Sequence, residues 1–358
     1  MSIQTENSVH RDSTRRKSLI MIAKLAFGLA ILGWLIATGK LNLESYQSLL
    51  RPGAVLAVLG IGIAQFAGMS ITLSRWYLLT SAQKIPLRFT EVMWLGYRGI
   101  FAGLLIPGML GLEGVRLLYL RKYHPNCLST GLASIMVDRV VGLLGLLLLV
   151  IMFGVFYTLR EQVSDFSRIL GYLSVSTIVI VLLSFALLRL MRYVGEAWPE
   201  LQRINRLSKA IDRYREHPIQ LTGALLLSMV GHFCLCLAAW CGMIALRQQV
   251  ALLAISTVTP LVTVLRILPL SPLGLGFTDA AAEELYPLVG MEGGAENQML
   301  IRGVFILVSL LCGVAFLVRP SSKKVEQQDD LETGDFNAEK IGPIESSERR
   351  QADPKIRL

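Results

Sequence analysis

Asp138 and Arg139 stand ten or eleven residues into the apolar run from Leu128 to Tyr157. On a helix that is about 15 Å from its start, which predicts a position near mid-depth in a bilayer. A charge there costs about 2.5–3.5 kcal/mol, so each needs a partner, a hydrated cavity or a function. Adjacent helical positions point about 100° apart, so the two need not pair with each other, and either can reach a neighbouring segment. Two further stretches bring proline, glycine and charge into greasy sequence at corresponding places in the two halves of the chain: 105–116, LIPGMLGLEGVR, and 267–279, ILPLSPLGLGFTD. Unwound backbone survives inside a membrane only where protein or water satisfies it, so recurring breaks of this kind point to a substrate site near the midplane.

In the first break, Pro107 ends one helical arm, Gly108, Gly111 and Gly114 permit a turn, and Val115 to Tyr123 continue as a second arm. Backbone N–H groups exposed there, together with the bidentate guanidinium of Arg116, suit an anionic head group, with Glu113 three residues earlier holding Arg116 in position. Arg98, seven residues after Glu91 on the same face, is a second head-group candidate. The plainer reading has Arg116 and Arg121 snorkelling to the interface with Glu113 as a surface partner. The second break differs in sign. Pro269, Ser271, Pro272, Gly274 and Gly276 lead into Thr278, Asp279, Glu283 and Glu284. That acidic cluster repels an anion unless it pairs with Arg266 or Arg302 or binds protons. Its plainer reading is an interfacial helix cap. The candidate substrate-binding residues are therefore Arg98, Pro107, Gly108, Gly111, Glu113, Arg116, Asp138, Arg139, Pro269, Ser271, Gly274, Gly276 and Asp279. No catalytic or metal-ligating set accompanies them, and no cofactor is expected.

The elements that must position these side chains are transmembrane helices. A mean hydropathy of +0.54 and 53% hydrophobic residues place the chain among all-α, polytopic helical membrane proteins. About six full spans are expected: Ser18 to Thr38, Ala54 to Leu73, Leu128 to Tyr157, Ile169 to Met191, Pro218 to Ala245 and Gln298 to Val318. Phe89 to His124 and Val250 to Gly290 are expected as two re-entrant hairpins. The net charge of +9 is carried mainly by short loops beside apolar segments, which marks cytoplasmic loops rather than a nucleic-acid surface. Arg11, Arg15, Arg16 and Lys17 precede the first span, and Arg75, Lys84, Arg88, Arg121, Lys122 and a basic stretch from Arg192 to Arg215 fall on the same side. This predicts a cytoplasmic N-terminus and tail, a first hairpin entering from the cytoplasm and a second from outside. Opposite sides are what an inverted repeat produces.

The first apolar run is too long for a signal peptide and lacks a cleavage pattern, so it is expected to remain as an anchor. Pro199 to Glu216 reads as an amphipathic surface helix or, equally, a solvated loop. The organisation expected is a cytoplasmic segment 1–17, a membrane domain 18–319 and a disordered polar tail 320–358. Five cysteines, an odd number set mostly in apolar runs, imply no disulfide framework, and His232 with Cys236 cannot close a zinc site. Gly99, Gly103, Gly142 and Gly145 are expected to let helices approach closely.

Taken in order, Arg98, Leu105 to Gly108, Gly111 to Arg116, Val137-Asp138-Arg139-Val140-Val141-Gly142 and Ile267 to Gly276 resemble the flippase-like family named for the transmembrane region of lysylphosphatidylglycerol synthase. The resemblance covers most of Ser18 to Arg319 and implies a helical membrane domain that moves or presents lipids. Some members fuse that domain to a soluble aminoacyl-transferase domain, which is not expected in this chain. Two departures bear on the site. The family's first motif reads Gly-Gly-Asp where this chain has Gly111-Leu112-Glu113-Gly114, and its last ends in Arg-Glu where this chain has Thr278-Asp279.

These readings lead to a lipid flippase or transporter of a bacterial cytoplasmic (inner) membrane, binding an anionic or polyprenyl-linked lipid head group. Membrane lipids are the expected partners, nucleic acid is not, and a homo-oligomer is compatible with the sequence. The alternatives are a membrane-embedded transferase, for which no nucleotide loop, metal triad or nucleophile–base pair is legible, and an accessory subunit in lipid or glycolipid modification.

Overall fold

The computed structural model describes residues 29–41, 43–105, 110–161, 209–266 and 271–317, with isolated positions beside them. Among these the chain is helical and forms no strand. Helical residues 29–37 (α1) are followed by a 3-10 segment, Leu43–Leu50, and by α2 (Pro52–Ala82), α3 (Phe89–Leu105), α4 (Leu110–Tyr123), α5 (Leu128–Glu161), α6 (Pro218–Ala245), α7 (Leu252–Arg266), α8 (Phe277–Leu285) and α9 (Gly294–Leu317). Among the described residues, four stretches are long and apolar enough to cross a membrane: Pro52–Ala82, Pro125–Glu161, Pro218–Ala245 and Gly294–Val314. Of the expected span Ser18 to Thr38 only the end is described, and it is helical. The expected span Ile169 to Met191 and the tail from 320 lie outside the described residues.

Local chemistry explains the long helices. Proline at the first turn of α2 and of α6 occupies positions whose N–H would be unsatisfied anyway. Ser70, Thr72 and Ser74 return their hydroxyls to carbonyls four residues back, which satisfies them inside an apolar helix. The outward face of α2 carries Leu56, Leu59 and Ile63, each more than half exposed. Apolar side chains repeated along an outer face suit lipid rather than water.

Helices α2 and α6 run antiparallel along a seam of small residues. Gly60 meets Cys241, Gly68 meets Gly231 and Cys234, and Gly223 meets Leu78. A Cβ on Gly68 would stand 3.2 Å from the Gly231 carbonyl oxygen, so the backbones touch. The shared core joins Ile61 of α2, Val150 of α5, Ala239 and Met243 of α6, and Val258 of α7.

Each of the two interrupted segments forms a pair of packed helices. In the first, α3 folds back along α2, with Gly96 against Leu73 and Tyr97 hydrogen-bonded to Ser70 at 2.5 Å, and α4 packs on α3. In the second, α7 and α8 pack on each other around the turn at Pro272–Gly274. The first pair follows the C-terminal end of α2 and the second follows the C-terminal end of α6. Because α2 and α6 are antiparallel, the two pairs start from opposite ends of the bundle.

Two boundaries differ from expectation. Helix α2 continues past Leu73 to Ala82, because the apolar pattern resumes at Trp76-Tyr77-Leu78-Leu79, and it carries Arg75 inside the bundle instead of into a loop. Helix α4 starts at Leu110, so Gly111 and Gly114 are helical. The end of the expected amphipathic stretch docks on α2. Buried Tyr214 donates to the Leu79 carbonyl at 2.9 Å, and Gln83 donates to the Ala210 carbonyl at 2.8 Å. Burial pushes the Tyr214 phenol well above its ordinary pKa, which keeps the donating proton in place.

Candidate functional site

Asp138 is 1% exposed and receives two arginines from two other helices. Arg75 of α2 donates from Nε to Oδ1 at 2.8 Å, and Arg116 of α4 places Nη1 3.5 Å from Oδ2. The surroundings fix Arg75 firmly. Its Nη1 donates to Ser228 Oγ at 3.1 Å, and Ser228 donates in turn to the Gly142 carbonyl at 3.2 Å. Gly142 is glycine for a steric reason, since a Cβ there would stand 2.9 Å from Arg75 Nη1. Arg116, fully buried, lies over the Trp76 ring at 4.1 Å, and the Trp76 indole N–H donates to Ser134 Oγ at 3.2 Å. Two guanidiniums thus share one carboxylate away from water, an excess of positive charge that favours an anion.

Along the observed helix, Asp138 is about 15 Å from the first residue of a 34-residue α5, in its first third. The neighbouring Arg139 points elsewhere, as the 100° step requires, and forms an ion pair with Glu113 of α4. The sequence reading had Glu113 holding Arg116. Instead Glu113 holds Arg139, and Asp138 holds Arg116, so the two positions of α4 divide between the two positions of α5. This second pair is partly exposed, with Arg139 at 40% and Glu113 at 19%. It lines a cavity of about 190 Å³ with Gly99, Gly103 and Leu112 of the first helical pair, Leu273 of the second, and Phe305 of α9.

Leu273 and Gly274, with φ of +53° and +75°, and Gly276 at +74° make the turn between α7 and α8. A left-handed conformation costs a leucine about 1–2 kcal/mol, and here it accompanies the placing of the side chain on the cavity wall. Ser271 is buried beside this turn. Asp279 is committed to a different partner. Arg302 of α9 grips its two oxygens in a fork at 2.7 and 2.9 Å and also donates to Thr278 Oγ1 at 2.9 Å. Asp279 Oδ2 additionally accepts the Gly276 N–H at 2.8 Å. Of the two cations considered for Asp279, Arg302 makes the contact, and Arg266 donates to Gln298 at 3.0 Å. Of its acidic neighbours, Glu283 accepts the Ala295 N–H and Glu284 pairs with Lys40.

Arg116 with Asp138 and Glu113 with Arg139 therefore come together across α4 and α5, while Gly274 and Gly276 shape the turn that brings Leu273 to the cavity of the Glu113–Arg139 pair. Arg98 stacks over Trp94 at 3.4 Å, and Glu91 accepts the Arg88 N–H at the start of α3. Gly111 acts in packing, since a Cβ on it would fall 2.3 Å from the Gly103 Cα. Pro107, Gly108 and Pro269 lie outside the described residues. Sequence reasoning placed Arg75 in a loop and passed over Trp76 and Ser228. The usable signal for Arg75 was the apolar pattern resuming directly behind it.

Long apolar helices and charge gathered in their interior define a multi-pass helical membrane protein. The family described as the lysylphosphatidylglycerol synthase TM region matches residues 21–315, and the chain belongs to that family, which links it to lipid handling. No curated protein and no solved structure matches the chain.

Proposed function

We propose that this protein is a lipid translocase of a bacterial cytoplasmic membrane that holds the head group of an anionic or polyprenyl-linked lipid between its two helical pairs. The observation that carries this reading is the Glu113–Arg139 pair on a cavity walled by both helical pairs, one position along α5 from the buried carboxylate of Asp138 that Arg75 and Arg116 share. Arg116 and Arg139 supply positive charge for the head group, and Asp138 and Glu113 orient them. The apolar remainder of the cavity wall suits the lipid's hydrocarbon.

In this reading the pairs α3/α4 and α7/α8 are re-entrant hairpins of an inverted repeat. Their origin at opposite ends of the α2–α6 seam supports that, and the basic loops support a cytoplasmic N-terminus and a first hairpin entering from the same side. The test is transport in proteoliposomes containing fluorescent phosphatidylglycerol, followed by quenching of the label exposed on the outer leaflet. Arg116→Ala and Arg139→Ala are each expected to slow the exchange at least about tenfold, the loss of one charge-assisted contact. Wild-type rates in both variants would dismiss the site.

A further inference from the structure

The Arg116 guanidinium has two hydrogen-bonding edges. One is used, since Nη1 faces Asp138. On the other, Nε and Nη2 are buried and, among the described residues, have no hydrogen-bond partner. These two N–H groups lie parallel in one plane and form the bidentate edge that matches two oxygens of a phosphate or carboxylate. A buried donor left unmade is costly, and two on one side chain that is 0% exposed call for a ligand. The ring of Trp76 beneath the guanidinium fixes its plane, and Asp138 fixes its rotation, so the free edge is pre-aimed. Arg75 is not equivalent, because its Nε and Nη1 are already spent on Asp138 and Ser228.

We infer that the Nε–Nη2 edge of Arg116 is a phosphate-recognition element, taking two oxygens of a phosphate ester, with Arg75 and Asp138 as the positioning residues behind it. This rests on the reading of the protein as a lipid-head-group binder and narrows it. What the edge selects is a pair of oxygens on one anion, not negative charge in general, and of the two oxyanions that match it the head-group reading favours phosphate. A phospholipid head group and free inorganic phosphate share that chemistry.

The test uses the full chain in nanodiscs of a phosphate-free galactolipid, with thermal unfolding as the readout. Inorganic phosphate is expected to raise the unfolding temperature in a saturable manner, and chloride at equal ionic strength is not. Arg116→Lys keeps the buried cation next to Asp138 but removes the fork, and is expected to weaken the phosphate response at least about tenfold. A second arm adds phosphatidylglycerol to the nanodiscs. Loss of the phosphate response there identifies a lipid phosphate as the occupant, and its persistence identifies free phosphate.

Equal shifts with phosphate and chloride in the wild type would overturn the inference, and this arm decides it even where Arg116→Lys does not fold. A full phosphate response in a folded Arg116→Lys would overturn it too. Transport abolished by Arg116→Ala without any phosphate response would sink this inference and leave the translocase reading standing. Unimpaired transport in Arg116→Ala and Arg139→Ala would sink that reading instead.

Discussion

Replacing Asp138 tests whether the interior charges are held by attraction or merely tolerated. At an effective dielectric of about 20, its contact with Arg75 at 2.8 Å contributes about 6 kcal/mol of attraction and that with Arg116 at 3.5 Å about 5 kcal/mol. Desolvating three ions offsets much of this, so the gross sum is not the expected loss. What mutation leaves behind decides the net effect: two buried guanidiniums with no counter-charge, a situation that costs about 3–5 kcal/mol when one partner of a buried pair is removed. Arg75 would keep Ser228 and Arg116 would keep Trp76, which limits the damage and favours a protein that still folds. Asp138→Ala is therefore expected to lose about 3–5 kcal/mol. Asp138→Asn, which retains an acceptor for Arg75 Nε, is expected to lose about 1 kcal/mol less.

The assay is reversible unfolding in detergent followed by tryptophan fluorescence, since Trp76 lies under one of the affected guanidiniums. The double variant Asp138→Asn with Arg75→Gln is expected to show about 0.5–3 kcal/mol of coupling, because the two side chains are in direct contact. An Asp138→Asn protein as stable as the wild type to within about 0.5 kcal/mol would refute electrostatic attraction as the binding force of this cluster.

Two further expectations follow from contacts elsewhere. Gly111→Ala pushes a Cβ to 2.3 Å from the Gly103 Cα, so the α3 and α4 backbones must separate, at a cost of about 1–3 kcal/mol. Gly103→Ala meets nothing within 4 Å and is expected to gain up to about 1 kcal/mol from helix propensity, and the same unfolding assay distinguishes the two. Asp279→Asn strands the Arg302 guanidinium and is expected to cost about 3–5 kcal/mol, with loss of protease resistance around the Pro272–Gly274 turn as a local readout. Wild-type resistance there would contradict the role assigned to the fork.

How much was legible depended on whether the signal was local. The apolar runs at 128–157 and 218–245 predicted α5 and α6 nearly to the residue at their starts, because span length and a proline at or just before the helix start are properties of contiguous sequence. The importance of Asp138, Arg139, Arg116 and Glu113 was legible from the cost of burying charge. Their pairing was not. Three-residue spacing on α4 suggested that Glu113 serves Arg116, but the geometry between α4 and α5 sends each to a different residue of the Asp138-Arg139 pair. That crossing depends on how two helices rotate against each other, and one strand of sequence does not carry it. Arg75 was misplaced for the converse reason. Span prediction stops at a charge, whereas a helix inside a bundle continues through one that finds a buried partner 63 positions away.

The two helical pairs are fastened to the bundle by different electrostatics, and this bears on which of them can respond to a ligand. At the second pair, Arg302 and Asp279 match in charge, both carboxylate oxygens are engaged by the fork, and Thr278 and Gly276 complete the contact. An arriving anion has nothing to gain there without first breaking that fork. At the first pair, one carboxylate serves two cations, and the looser partner is Arg116, on α4, at 3.5 Å with an unused edge. An anion can bind Arg116 without stripping Arg75 from Asp138, and it relieves the charge excess as it does so. Differential binding of this kind is what a ligand needs in order to shift a conformational equilibrium. On the proposed translocase reading, the fork at Asp279 serves as the fixed reference, and α3/α4 is the pair that head-group binding would move.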